Sequence, residues 1–414
     1  MREEILLNQQ NPQQLERLYR GNKPGFKAAF NALYPELPGN LLADGWYQRL
    51  NFSREESTWG TPAERTFVVA ASLFAILVAK LPQLLSIDEE FFYSRNVGFI
   101  VFPALIAYFA WKNGASATTR MLAFGFAALS AVFINMLPKD NSSDTLILSC
   151  IHLPLLLWAV LGYIFRGGTW RDGESWLAFV RYNGELLVMA ALLVISGGLT
   201  SALTINLFGL IGMDIQHFYS QYIVISGLAA LPVVATFITR VQPTLVNRVP
   251  PVIARIFSPI ALAMLVVYLS ATLFAGKNPY HDREFLVLFN GLLVGVMALI
   301  FFSVAETHQS GSNRFQLILL FLLSAVTLVV NSIALSAVLF RIAEWGITPN
   351  RAAILGANVL MLAHLFYIGL KLFGALNRKS DLTTVGASLA LFLPIYSIWA
   401  AVVTFVFPFI FGFK

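Results

Sequence analysis

A single cysteine, Cys150, occurs in the 414 residues, and it lies inside an apolar run. No internal disulfide can form, and a C-x-x-C metal or redox site is excluded. A buried structural thiol is the expectation. Charge is scarce too: Asp, Glu, Lys and Arg make up 12% of the residues, about half the usual ~25% of a soluble domain. Catalytic signatures are missing. There is no H-E-x-x-H, G-x-S-x-G or G-x-x-x-x-G-K-[ST], and the five histidines (His152, His217, His281, His308, His364) lack metal-ligand spacing. No cofactor or metal is expected, and the reading leans away from an enzyme. Thr384-Val385-Gly386 lacks the Tyr-Gly of a potassium filter, and no apolar run carries a voltage-sensor arginine ladder.

What is abundant is apolar surface. The apolar set is 57% of the residues, and mean hydropathy is +0.70. A water-soluble fold could not cover that much apolar surface with so few charges. A soluble enzyme, a disordered chain and a disulfide scaffold are thereby excluded. A bilayer core needs about 20 predominantly apolar helical residues. Eleven runs qualify, near 66–86, 95–111, 119–138, 145–165, 184–211, 219–239, 255–276, 284–304, 315–340, 349–374 and 383–411. Runs such as LILLFLLSAVTLVV do not alternate as barrel strands would. The expected fold is all-α, a polytopic membrane bundle of about eleven helices over 65–414. A small cytoplasmic helical region over 1–64 precedes it.

Orientation follows from the basic residues. With the N-terminus in the cytoplasm, 20 Lys and Arg fall on that side and 7 on the other, with Lys80 inside the first span. Positive charge is retained inside, so the N-terminus is read as cytoplasmic and the C-terminus as outside. The same placement explains the net charge of +6 without nucleic acid. No cleaved leader and no lipidation motif are expected. In NPQQLERLYRGNKPGFKAAFNALYPEL, Leu15, Leu18 and Tyr19 share one stripe. Phe26, Phe30, Leu33 and Tyr34 share another, after a break at Gly21–Pro24. Two short amphipathic helices are expected. They could cap their own bundle, dock a cytoplasmic protein partner or lie on membrane lipids.

Polar residues inside spans need partners away from water. Lys80, Asn135, His152, Asn206, Gln221, Asn290, Asn331, Asn358 and His364 are of this kind. Interhelical glue is the plain reading of the amides; a polar translocation path is the sharper one. Lys80 can snorkel toward Asp88, Glu89 and Glu90, or contact a substrate. Glu185 is expected in the first turn of its helix, offsetting the dipole. The outward connections hold the most distinctive chemistry: Asp88-Glu89-Glu90 with Arg95, then Tyr280, Asp282 and Arg283, then Trp345 through Arg351. In the last, Thr348 suits an N-cap and Pro349 the first helical position. Helix starts with an aromatic belt explain these loops plainly. The sharper expectation is that at least two of them meet at the mouth of the bundle, around an anionic solute or a headgroup.

The segments NPQQLERLYRGNKPGFKAAFNALYPEL, EEFFYSRNVGFIVFPALIAYFAWKN and EWGITPNRAAIL resemble the bacterial membrane-protein family named domain of unknown function 4153, in its Bacteroidetes form. The resemblance spans most of the chain. It implies a many-helix protein of the bacterial inner membrane and supplies no activity or catalytic residue. Two functions stay open. One is a transporter or channel for a small solute or lipid, with Pro103, Pro154, Pro232, Pro259 and Pro394 breaking helices around a cavity. The other is a sensor or scaffold that binds a partner through its N-terminal region.

Overall fold

The computed structural model describes residues 1–51, 59–138, 143–168, 173–211, 213–243, 249–274, 283–310, 314–377 and 382–414. The backbone alone is described at 173, 250, 268, 271–274, 283–288, 307–310, 382–384 and 387–390. The chain forms two compact units, Met1–Trp59 and Gly60–Lys414. No strand occurs among the described residues.

The first unit has four helices where two were expected: α1 (Arg2–Leu7), α2 (Pro12–Gly21), α3 (Lys23–Leu33) and α4 (Leu41–Asn51). Asparagines punctuate it. Asn11 Oδ1 accepts from Gln14 N at 3.2 Å ahead of α2, and Asn22 Oδ1 from Gly25 N at 3.0 Å in α3. Asn40 Oδ1 takes both Leu42 N and Ala43 N at the start of α4. Each satisfies amide donors that a helix start leaves unpaired. The apolar stripes of α2 and α3 meet inside this unit. Ile5, Leu15, Phe26, Phe30, Leu33, Ala43, Trp46 and Leu50 make one core. Trp46 lies 5.2 Å from Phe26, and the Tyr19 ring stands edge-on to both.

The second unit carries α5 (Pro62–Leu85), α6 (Glu89–Lys112), α7 (Ala117–Met136), α8 (Asp144–Phe165), α9 (Gly173–Leu210), α10 (Gln216–Val241), α11 (Val249–Phe274), α12 (Arg283–Ser310), α13 (Arg314–Trp345), α14 (Pro349–Leu376) and α15 (Leu382–Ala401), the last continuing to Ile410. Among the described residues each of the eleven apolar runs forms a helix. Ten are long and apolar enough to cross a membrane; α11 has a shorter apolar stretch, Pro251–Val267, among the described residues. Large apolar side chains point outward. Leu129, Leu187, Leu199 and Leu210 are 73%, 72%, 73% and 84% exposed. Only a hydrocarbon solvent covers such a surface without cost. The protein is a multi-pass integral membrane protein.

Sequence neighbours pack against one another, α5 on α6, α9 on α10 and α13 on α14, and longer links join α5 to α10, α6 to α8, and α9 to α15. One apolar core is built mainly from α11–α14. Another lies among α5, α6, α8, α9 and α10. The five prolines expected to break helices stay inside helical runs. Each lacks the N–H that would bond the carbonyl four residues earlier, and the ladder also opens in two π turns: Tyr219–Val224 within α10 and Val402–Val406 after α15. α9 is 38 residues long, about 57 Å, well beyond a ~30 Å hydrocarbon core. Its start at Gly173 corrects the expectation for Glu185, which sits several turns inside and pairs with Arg181 at 3.0 Å.

Candidate functional site

A π turn leaves carbonyls outside the regular i to i+4 ladder. At both π turns a side chain from a neighbouring helix takes one. Ser149 Oγ of α8 lies 2.9 Å from the Thr404 carbonyl and 2.8 Å from the Thr145 carbonyl of its own helix, sharing its one proton between them. Lys80 Nζ of α5 donates to the Gln221 carbonyl and to Gln83 Oε1, the latter at 3.0 Å. Gln83 Nε2 in turn donates to Gln221 Oε1. The Lys80 ammonium also lies 4.9 Å from the Tyr222 ring centroid, a cation–π contact. Beside it, the Tyr93 hydroxyl donates to the Ala79 carbonyl at 2.9 Å, tying α6 to α5. Lys80 is thus held by neutral oxygens and a ring. It forms no ion pair within 4.0 Å with Asp88, Glu89 or Glu90. Asp88 is instead the N-cap of α6, its Oδ1 accepting from Phe91 N at 2.8 Å, and Glu89 and Glu90 fill the first turn. Those carboxylates are well placed for the helix dipole.

Arg95 is 3% exposed. Its guanidinium donates to the carbonyls of Ile134 (2.6 Å), Leu137 (3.1 Å) and Pro138 (3.0 Å), closing the C-terminal end of α7. Next to it Asn96 and Asn135 exchange two amide hydrogen bonds, at 2.9 and 2.8 Å. Arg351 serves the same purpose at a more exposed place. It donates to Trp345 O at 3.1 Å and Gly346 O at 2.7 Å, at the end of α13, while Thr348 caps α14. Both arginines therefore act on helix ends, which need cations and donors. The 341–351 connection shares an open cavity of about 630 Å³ with partners not foreseen: Asp144, residues 410–412 and Lys414 join Ile347, Thr348 and Pro349 around it. Tyr280 and Asp282 lie outside the described residues, and Arg283 is described in its backbone only.

Deep in the bundle, Asn331 Nδ2 donates to the Asn358 carbonyl at 3.1 Å, linking α13 to α14. Both residues are fully buried. The expected role of amides as interhelical glue holds for Asn331 and for Asn135, whereas Asn358 contributes its backbone carbonyl and not its amide. Asn206 differs: it bonds Ala202 O of its own helix and is exposed. His152 likewise bonds Leu148 O of its own helix. The buried His364 stacks on Phe392, 4.1 Å between ring centroids.

The opposite end of the bundle concentrates chemistry that sequence reasoning passed over. Glu64, 3% exposed, accepts from the Tyr108 hydroxyl and from Lys112 Nζ, both at 2.8 Å. Arg240 lies on three rings, Phe109, Phe165 and Tyr182, at 5.4, 5.0 and 5.0 Å. Arg181 pairs with Glu306 at 3.5 Å as well as with Glu185. In the sequence these cations registered only as inward-facing charge. The usable signal was Glu64 and Lys112 flanking two apolar runs that must lie antiparallel. Among the described residues no group of three or more His, Cys, Asp or Glu could hold a metal.

In the N-terminal unit an open groove of about 580 Å³ is lined by Pro12, Gln13, Glu16, Leu42, Gly45, Trp46 and Arg49. Arg20 and Arg49 both bind Glu16, at 2.8 and 3.0 Å. The hydrogen bond from Arg20, helped by Arg49, holds the Glu16 carboxyl below its ordinary range. The hydrogen bond to Asp44 raises the Tyr34 hydroxyl above its own. In comparisons with known proteins, no family model, curated protein or solved structure matches this chain.

Proposed function

We propose that this protein is a transporter or channel for a small solute or lipid. The observation that carries the reading is the pair of π turns in membrane-embedded helices. Each presents backbone carbonyls to a polar side chain of a neighbouring helix. Opened ladders are costly in hydrocarbon and are tolerated where protein or a polar path satisfies them, and π turns recur at functional sites. The reading includes a home in the bacterial cytoplasmic membrane with the N-terminal unit in the cytoplasm, supported by the 20-to-7 division of basic residues.

The test uses the full chain in vesicles of phosphatidylethanolamine and phosphatidylglycerol. One arm follows dithionite quenching of fluorescent phosphatidylglycerol. The other follows release of radiolabelled inorganic phosphate. A rate several-fold above protein-free vesicles in either arm supports the reading; baseline rates in both overturn it for these two cargoes. A second reading, a scaffold that binds a cytoplasmic partner, is favoured by the groove beside Trp46 and Arg49. Removing residues 1–59 separates the two, because a transport rate carried by the bundle survives the deletion.

A further inference from the structure

We infer that Lys80, Gln83 and Gln221 form a binding notch for a tetrahedral oxyanion, the phosphate of a lipid headgroup or a free phosphate. The inference deepens the proposed transport reading, since it names the class of ligand. It rests on counting donors and acceptors. Three oxygens of the cluster, Gln83 Oε1, Gln221 Oε1 and the Gln221 carbonyl, accept bonds from within it. The donors are not used up. An ammonium has three N–H groups and an amide two. Lys80 spends two of its three, Gln83 one of its two, and Gln221 makes no amide donation among the described residues. The capacity left over is therefore N–H groups from three side chains, together with one formal positive charge.

That remainder suits an anion with several acceptor oxygens. It does not suit a cation or a neutral donor. Glu89 is the carboxylate that acts on Lys80 electrostatically, and no ion pair within 4.0 Å joins them. The place fits as well. Lys80 stands five residues before the end of α5, about 7.5 Å along the axis, near the depth where headgroups begin. Gln83 is exposed and Tyr222 is 53% exposed, so the notch opens sideways on the outer surface of the bundle. The π turn matters because the Gln221 carbonyl it frees accepts from Lys80, which holds the ammonium between Gln83 and the exposed Tyr222 ring.

The experiment measures thermal unfolding of the purified full chain in neutral detergent, with either phosphatidylglycerol or sodium phosphate added and chloride at equal ionic strength as control. Wild type should gain roughly 2–4 °C with at least one of the two probes. Lys80→Gln should weaken that probe about tenfold or more, the usual worth of one charge-assisted hydrogen bond. Gln83→Glu guards against misfolding. It gives Lys80 a carboxylate partner, so the fold should hold or tighten while the anion is repelled. A response to the lipid alone names a headgroup; a response to phosphate alone names a solute. If Lys80→Gln and Gln83→Glu respond as wild type does, or wild type answers neither probe, the notch is not an anion site. Binding is read without transport, so a dead transport assay with an intact phosphate response refutes the transport reading only.

Discussion

The N-terminal unit and the membrane unit partition apolar and polar side chains in opposite ways. In residues 1–51 the apolar side chains turn inward around Phe26 and Trp46, and charge stays outside, as in the Glu16–Arg49 pair. In the membrane unit, leucines such as Leu199 face outward at 73% exposure, while Arg95, Asn331, Asn358 and Glu64 are buried. The difference lies in the solvent. Water rewards hiding apolar surface. Lipid does not, and there polar groups must find partners inside the protein.

Paired truncations give the hardest test of that contrast and the largest expected effect. Phe26→Ala removes a fully buried ring from a small core and should cost about 3–5 kcal/mol, enough to unfold so small a unit. In the full chain, hydrogen exchange should become fast across residues 2–51 and stay slow in α6 and α8. Leu199→Ala deletes a side chain of similar apolarity from a lipid-facing site. It should shift stability by less than about 0.5 kcal/mol, because no water is excluded there. Similar losses at the two sites would mean that the outer face of α9 is not lipid-exposed.

The second test compares two arginines that close helix ends. Arg95→Met strips three carbonyls of their donor in a buried place and should cost about 3 kcal/mol. Arg351→Met loses bonds to two more exposed carbonyls that water can replace, so about 1 kcal/mol or less is expected. Unfolding midpoints of the purified variants report both. Equal losses would remove burial as the deciding variable. A smaller effect is expected at the Asn96–Asn135 pair. A double-mutant cycle to Ala should return a coupling of about 0.6–1.7 kcal/mol, and a coupling near zero would mean that the two amides serve only their own helices.

These residues also show what the sequence could and could not disclose. Eleven helices were legible because an apolar run of span length has one stable form in lipid. The Gly21–Pro24 break and the Thr348–Pro349 helix start were legible from turn and cap chemistry. α1 and α4 were missed because their signals are weak: α1 has only six residues, and α4 has Gly45 in its middle. The true start of α9 was hidden because Trp176, Phe179 and Tyr182 continue the helix between charged residues. The π turns carry no compositional mark at all. Consequently the partner of Lys80 is a backbone carbonyl 141 residues away in sequence rather than the adjacent acidic triplet. Arg95 and Arg351 stood out in the sequence as candidate binding residues; in the structure both donate to carbonyls at helix ends, a need that residue types alone do not reveal.

The smallest effect belongs to the N-terminal unit and tests its water-facing side. Arg20, with Arg49, holds the Glu16 carboxyl below its ordinary value of 4.5. A carboxyl depressed in the native state adds stability that is complete above its unfolded value and disappears as pH falls through its native value. The contribution of Glu16 should therefore be level at neutral pH and fade below about pH 4.5. Because the carboxyl is on the surface, 0.5 M salt should shrink the contribution at any pH. The measurement is hydrogen exchange of residues 12–51 in the full chain, for wild type and Glu16→Gln, at pH 6 and pH 3.5 after correction for intrinsic exchange. Subtracting the variant cancels the titration of other carboxylates. Wild type should be better protected at pH 6, and the difference should narrow at pH 3.5. A difference as large in acid as at pH 6 and unmoved by salt would mean that Glu16 acts through packing beside Trp46 and not through its charge. In the membrane unit an analogous removal at Glu64 should respond less to salt, because the carboxylate itself is 3% exposed although its partner Lys112 is about half exposed.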